Sequence, residues 1–363
     1  MNRRAFLRID PAAAGPEDPI AHWARQAPPL LRVAPERERG LVHRLLRAAP
    51  PTPPAAAKNG TAGPRPLGIA AGLTPYAAPL DRRHAVHLLR RTGFDAAPAE
   101  VDALLGMEAG DAVDALVDAA LVPPVPMPPD WVDEGVPRSQ DAQQTYFMDR
   151  NPEWLMEYYA TLMRQLYYGG LREKMTLFWH NHFVTEIDAY LIAPYAYRYV
   201  ETLRTHALGN FKDFVHAIGI DSAMLLYLNG VQNAAGAPNE NYARELLELF
   251  TMGPEDDQGT PNYTQQDIEE IARALTGWLV DPFNLTVQLV SVRHDGGEKT
   301  IFGRTEAFGY DDVIDLLFEE RPEQIAAFLC RKLYRAFIYE APDEALVAEL
   351  AQVMRAHDFA IAP

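Results

Sequence analysis

Two histidines among large apolar and aromatic residues mark the stretch Arg172 to Glu186, which reads Arg-Glu-Lys-Met-Thr-Leu-Phe-Trp-His-Asn-His-Phe-Val-Thr-Glu. Imidazoles in such a setting suit metal ligation or proton transfer. At helical spacing His182 shares a face with Met175, Phe178 and Trp179, and Glu186 follows four residues later. A histidine–carboxylate pair is therefore expected on one apolar stripe. His180 lies about 200° from His182 on a straight helix, so both reach one ion only where the helix ends or distorts. His206, in Thr-His-Ala-Leu-Gly-Asn-Phe, and His294, beside Asp295, would complete a nitrogen and oxygen set suited to zinc, iron or manganese. The plainer alternative makes His182 a hydrogen-bonded core residue and the others caps or surface groups.

A second constellation is Asn239-Glu240-Asn241-Tyr242-Ala243-Arg244-Glu245-Leu246-Leu247-Glu248-Leu249-Phe250. One helix over this stretch would place Asn241, Arg244, Glu245 and Glu248 on one side and Tyr242, Leu246, Leu249 and Phe250 on the other. Glu240 with Arg244, and Asn241 with Glu245, are favourable four-residue neighbours. On the surface this is a solvated charged face, whereas a buried Arg244 would need a carboxylate partner.

Composition narrows the partners. The chain has 363 residues, a net charge of −17 and only five lysines, at 58, 174, 212, 299 and 332, so no basic tract neutralises phosphates and nucleic acid is not expected. Cys330 is the sole cysteine, which rules out an intrachain disulfide, and its apolar neighbours predict a packed thiol. The three serines, Ser139, Ser222 and Ser291, lack the flanking glycines of a nucleophile elbow, and neither a phosphate-binding loop nor a His-Glu-x-x-His zinc motif occurs. Metal chemistry, carboxylate acid/base chemistry or no catalysis remain. No apolar run reaches the roughly 20 residues that span a bilayer, so membrane insertion is not expected. Arg3-Arg4 resembles the core of a twin-arginine export signal, but acidic residues and Pro11 interrupt the apolar run that should follow; the expected location is cytoplasmic, with export as the alternative.

The elements that must position these residues are helices. Residues 1 to 80 carry 14 prolines and read as a loosely ordered leader, with a short amphipathic candidate at Arg37 to Arg47. A single α-helical domain is expected over 81–363, with a proline-rich loop at 123–137. Asp81 is its first N-cap, opening a helix that stops at Gly93, followed by helices at Pro98 to Leu105 and Asp111 to Leu121. From Pro152 to Leu228 the pattern is helical and rich in aromatics from Trp154 to Tyr199, which either pack between helices or line a polymer groove. Thr264 opens a helix to Trp278 with a capping-box-like Thr-Gln-Gln-Asp. Alternation over 285–302, with turn residues Asp295-Gly296-Gly297, predicts an inserted β-hairpin. Helices at Pro322 to Tyr339 and Pro342 to His357 close a mainly α fold.

Taken together, Arg90-Arg91-Thr92-Gly93-Phe94, Glu173 through Phe183, His206 through Phe211, Asn239 through Leu246, Ala274-Leu275-Thr276-Gly277-Trp278 and His294-Asp295 resemble the bacterial domain-of-unknown-function 1800 family, in consistent order from about residue 81 onward. The resemblance carries no activity. It implies a link to proteins of another family, number 1501, as a partner, and a longer C-terminus than this sequence shows, with an apolar face left exposed near Leu346, Leu350 and Val353. It also singles out motif positions for an enzyme of unassigned reaction, dependent on a divalent metal or on acid/base chemistry. His182, His206 and His294 would be ligands, Glu240 or Glu245 a ligand or general base, and Arg244 would hold an anionic group. The competing expectation is a non-catalytic helical scaffold that binds a cell-surface polymer or a partner protein, its histidines scattered and individually hydrogen-bonded.

Overall fold

Residues 73–74, 76–122 and 128–362 are described by the computed structural model, all within one unit that begins at Ala71. Arg3, Arg4, the amphipathic stretch at 37–47 and residues 123–127 of the proline run lie outside the described residues. The Asp81 side chain accepts from the His84 amide at 2.9 Å and so caps α1 (Arg82–Thr92), which ends at Gly93 as expected. With α2 (Pro98–Leu104) and α3 (Ala109–Leu121) it closes a small core of Leu80, Ala85, Leu89, Val101, Leu104 and Ala112.

A short helix α4 (Gln140–Thr145) runs through a π-helical turn at Tyr146–Arg150 into α5 (Asn151–Tyr168). Then come α6 (Gly170–His182), α7 (Ile187–Tyr190), α8 (Ala193–His206), α9 (Phe211–Gly219) and α10 (Ser222–Tyr227). Their apolar faces meet in an aromatic core. Trp179, Phe183, Phe211 and Phe214 are fully buried, and the Phe183 ring stands edge-on to Phe214 and Phe250 at 4.9 and 5.2 Å. Most of the aromatic wealth is thus spent between helices: Tyr158, Tyr190, Tyr195 and Tyr199 are buried too, and the Tyr199 hydroxyl donates to the Phe183 carbonyl at 2.7 Å. Arg204 ties the layers together. Its guanidinium, 4% exposed, grips both oxygens of Glu173 at 2.6 and 3.0 Å and reaches Gln165 and Glu201, while Arg172 donates to the carbonyls of Ala120 and Arg204.

Over 239–250 the single expected helix is replaced by α11 (Asn241–Glu245), which passes directly into a π-helical segment, Leu246–Thr251. The wider π turn shifts the side-chain register, and Leu249, expected on the buried face, is 45% exposed. Thr264 caps α12 (Gln265–Ala274) in the expected reciprocal box with Asp267. The small β insertion follows as two antiparallel hairpins, β1 (Trp278–Asp281) with β2 (Thr286–Leu289) and β3 (Lys299–Ile301) with β4 (Arg304–Glu306). The first turn is set by Asp281, whose carboxylate accepts from the Phe283 amide, and by Leu285 at φ 53°; the second is Phe302-Gly303, both at positive φ. Asp295-Gly296-Gly297 joins the hairpins instead of turning one. Helices α13 (Tyr310–Glu320), α14 (Pro322–Phe337) and α15 (Glu344–Ala356) complete a mainly α fold. Cys330 is packed on α14, its thiol pushed up to about 12 by burial. Leu346, Leu350 and Val353 of α15, expected to be exposed, are half-buried.

Candidate functional site

His182 is the last residue of α6; Phe183, at φ −98° and ψ 45°, leaves the helix. Glu186 therefore sits at the N-cap of α7, and the four-residue helical pairing expected for His182 and Glu186 does not form. Instead His182 faces the end of the π segment. Its ring, edge-on to Phe183 at 4.5 Å and to Trp179 at 5.4 Å, is buried, with Nε2 2.9 Å from the Phe250 carbonyl and Nδ1 3.0 Å from Lys332 Nζ on α14. An ammonium has only protons to offer, so Nδ1 must be the acceptor and Nε2 the proton-bearing donor to Phe250. Lys332 also donates to the Leu249 carbonyl at 2.8 Å and lies 4.4 Å over the Phe328 ring. Thr251 Oγ1 donates to the Leu246 carbonyl at 2.6 Å, and the Met252 and Gly253 amides to that of Leu247. The terminal carbonyls of the π segment, which its own backbone leaves open, are thus met by side chains from α6 and α14 and by the following turn.

Burial dominates the protonation of this pair. The His182 imidazole is held well below its usual 6.5, by burial first and the Lys332 charge second, with the Phe250 hydrogen bond opposing. Lys332 is pushed down to about 8, again by burial. A neutral imidazole touching an amine that loses its proton near physiological pH is chemically a proton-sharing pair.

The other expected residues lie apart from it. His180, half-buried and shifted down by burial, stands against the Tyr199 ring at 5.7 Å. His206 stacks on Phe214 at 5.2 Å and is likewise lowered by burial. His294 Nδ1 bonds the Thr276 carbonyl at 2.9 Å. Among the described residues no three His, Cys, Asp or Glu side chains are grouped so as to hold a metal ion. Glu240 does meet Arg244, at 2.8 Å, and both bond Gln265 from α12 on a partly exposed face. Arg244, Glu245 and Glu248 surround Tyr263, whose hydroxyl is pushed up to about 12 by burial, then by Glu248.

Beside His294 lies a network that sequence reasoning missed. Arg273 bridges Glu270 and Asp295 at 2.7 and 2.8 Å; the buried Lys299 gives its ammonium protons to the carbonyls of Asp295 and Phe308. Gly277, at φ +102°, lets the chain pass His294 where an added Cβ would stand 3.1 Å from it. Lys299 and Lys332 carried one signal: both are among only five lysines in an arginine-rich chain, and each occupies a site where a compact head meets two carbonyls or a carbonyl and an imidazole.

The outer face of α5 is largely exposed, tied to the rest of the fold at its C-terminal end, where the Tyr167 hydroxyl donates to Asp95 at 3.4 Å. Met156, Met163 and Tyr167 are 70, 65 and 51% exposed, with Ala160 exposed between them, and at spacings of four, three and four residues they form one apolar stripe.

Among the described residues no helix is long and apolar enough to cross a membrane. No curated protein and no solved structure matches the chain. A family model described as a protein of unknown function, DUF1800, matches residues 87–363, a span that takes in the His182, Glu240–Arg244 and His294 motifs, and the chain therefore belongs to the DUF1800 family.

Proposed function

We propose that this protein is a non-catalytic helical scaffold that engages a protein partner through the outer face of α5. The observation that carries the reading is the exposed stripe Met156, Ala160, Met163 and Tyr167, a flexible apolar surface of the kind used to grip protein surfaces. The arrangement of the motif residues supports it, because the histidines and Arg244 are individually bound to neighbours that stabilise turns and helix ends. The burial of Tyr158, Tyr190, Tyr195 and Tyr199 between helices argues for a protein partner over a polymer laid along an aromatic groove. The test is a photo-crosslinking residue placed at Met163 in the living cell, with the same residue at Val292, which is 90% exposed, as control. A discrete protein adduct from Met163 alone is expected; no adduct from it overturns the reading. Stoichiometric metal in untagged protein would also count against it.

A second reading, acid/base catalysis, is favoured by the contact between Lys332 and His182. Reaction of Lys332 with an amine-selective reagent should then reach half its maximum rate near pH 8 and be lost in Lys332→Met. A rate that rises only in the range of ordinary lysines removes the basis for it.

A further inference from the structure

Building on the scaffold reading, we propose that the partner on α5 is a second copy of the same chain, with the two α5 helices packed antiparallel about a two-fold axis between Tyr159 and Ala160. The two methionines of the stripe are symmetric about that point. In an antiparallel pair centred there, Met156 lies level with Met163 of the second copy, and Pro152 with Tyr167. The charges obey the same symmetry. At about 100° per residue Glu153, Glu157 and Arg164 all fall on one flank of the stripe, and in an antiparallel pair like flanks face each other. Arg164 is then level with position 155 of the second copy, midway between Glu153 and Glu157, and the two-fold repeats the match on the other side. Glu153 and Arg164 form no ion pair among the described residues. Glu157 has one oxygen on the Trp131 indole N–H at 3.1 Å and one left for a cation. Ala160, beside the axis, lets the backbones approach closely.

One helix pair lies at the small end of specific interfaces, so the dimer is expected to be weak, with a Kd of about 1–100 μM. Sedimentation equilibrium of the full chain should show a monomer–dimer equilibrium. Met163→Glu should raise Kd by about 30-fold or more. Arg164→Glu alone, and Glu153→Arg/Glu157→Gln alone, should each be monomeric, because each sets like charges face to face. Their equimolar mixture should dimerise again, since every facing pair is then of opposite sign. Circular dichroism checks that each variant is folded. A wild-type chain monomeric throughout that range, or a mixture of the two charge variants that stays monomeric, overturns the proposal. The adduct formed at Met163 separates the two readings: at twice the chain mass it supports self-pairing, whereas a different protein leaves the scaffold reading standing and overturns self-pairing. A link to residues 1–72 of the same chain, or no adduct, overturns both.

Discussion

His182 illustrates how a side chain with catalytic potential becomes a structural one. The folded protein keeps its imidazole neutral, while the unfolded chain protonates it below about pH 6.5. Its contribution is therefore complete above that pH and is lost as the pH falls beneath it. Asp221, pushed up to about 6 by burial, acts in the opposite sense and gains stability as the pH falls through 6 toward 3.8, so the wild-type curve mixes the two. Comparison with His182→Gln isolates the histidine. The variant should be less stable by about 1–3 kcal/mol near neutral pH, and the difference should shrink toward pH 5 when followed by urea unfolding. A difference independent of pH would contradict the neutral buried imidazole. The pattern of residues around His182 revealed its burial, since Trp179 and Phe183 flank it in sequence and in space. Its partners were hidden, because Phe250 and Lys332 lie 68 and 150 residues away and one contact is to a backbone carbonyl, which leaves no mark in the residue types.

Helices were legible where caps and proline mark them. Asp81, Thr264 and Pro322 open helices at the expected places because each supplies a side-chain acceptor or a preset φ where the first turn needs it. Thr264→Ala should accordingly cost about 1 kcal/mol in thermal or chemical unfolding. The π segment at Leu246–Thr251 was not legible, since its one-residue shift is fixed by tertiary hydrogen bonds and its composition is that of an ordinary helix. The strands were placed only approximately for a related reason: Leu285 at positive φ makes a turn that its residue type does not announce. Gly219, at the end of α9, is a sharper case. A Cβ there would lie 2.2 Å from both the Tyr242 and Tyr310 hydroxyls, so Gly219→Ala should destabilise by about 1–3 kcal/mol, more than its gain in helix propensity returns. An alanine variant as stable as wild type would show that those rings shift freely.

Across the whole molecule, Arg204 and Arg172 join α3, α5, α6 and α8 through charged and carbonyl contacts buried between them. Glu173→Gln leaves the buried Arg204 guanidinium with Glu201 as its one remaining carboxylate and should cost about 1–3 kcal/mol, lowering the denaturation midpoint. Arg204→Met combined with Glu173→Leu should recover part of that loss, because the Arg204–Glu173 ion pair is then removed as a unit. An unchanged midpoint in Glu173→Gln would mean that Glu201 alone satisfies the arginine. The α5 face was within reach of the sequence as a helical stripe, yet only the packing of α6 and α8 against the opposite side shows that it faces outward. The Lys332 contacts also set an order in time. Leu249 leaves the ribosome 83 residues before the lysine that meets its carbonyl, an interval of about 4–17 s at ordinary rates of synthesis. During that interval the Leu249 carbonyl and the His182 ring are without the α14 cation, which reaches them only when translation has passed Lys332.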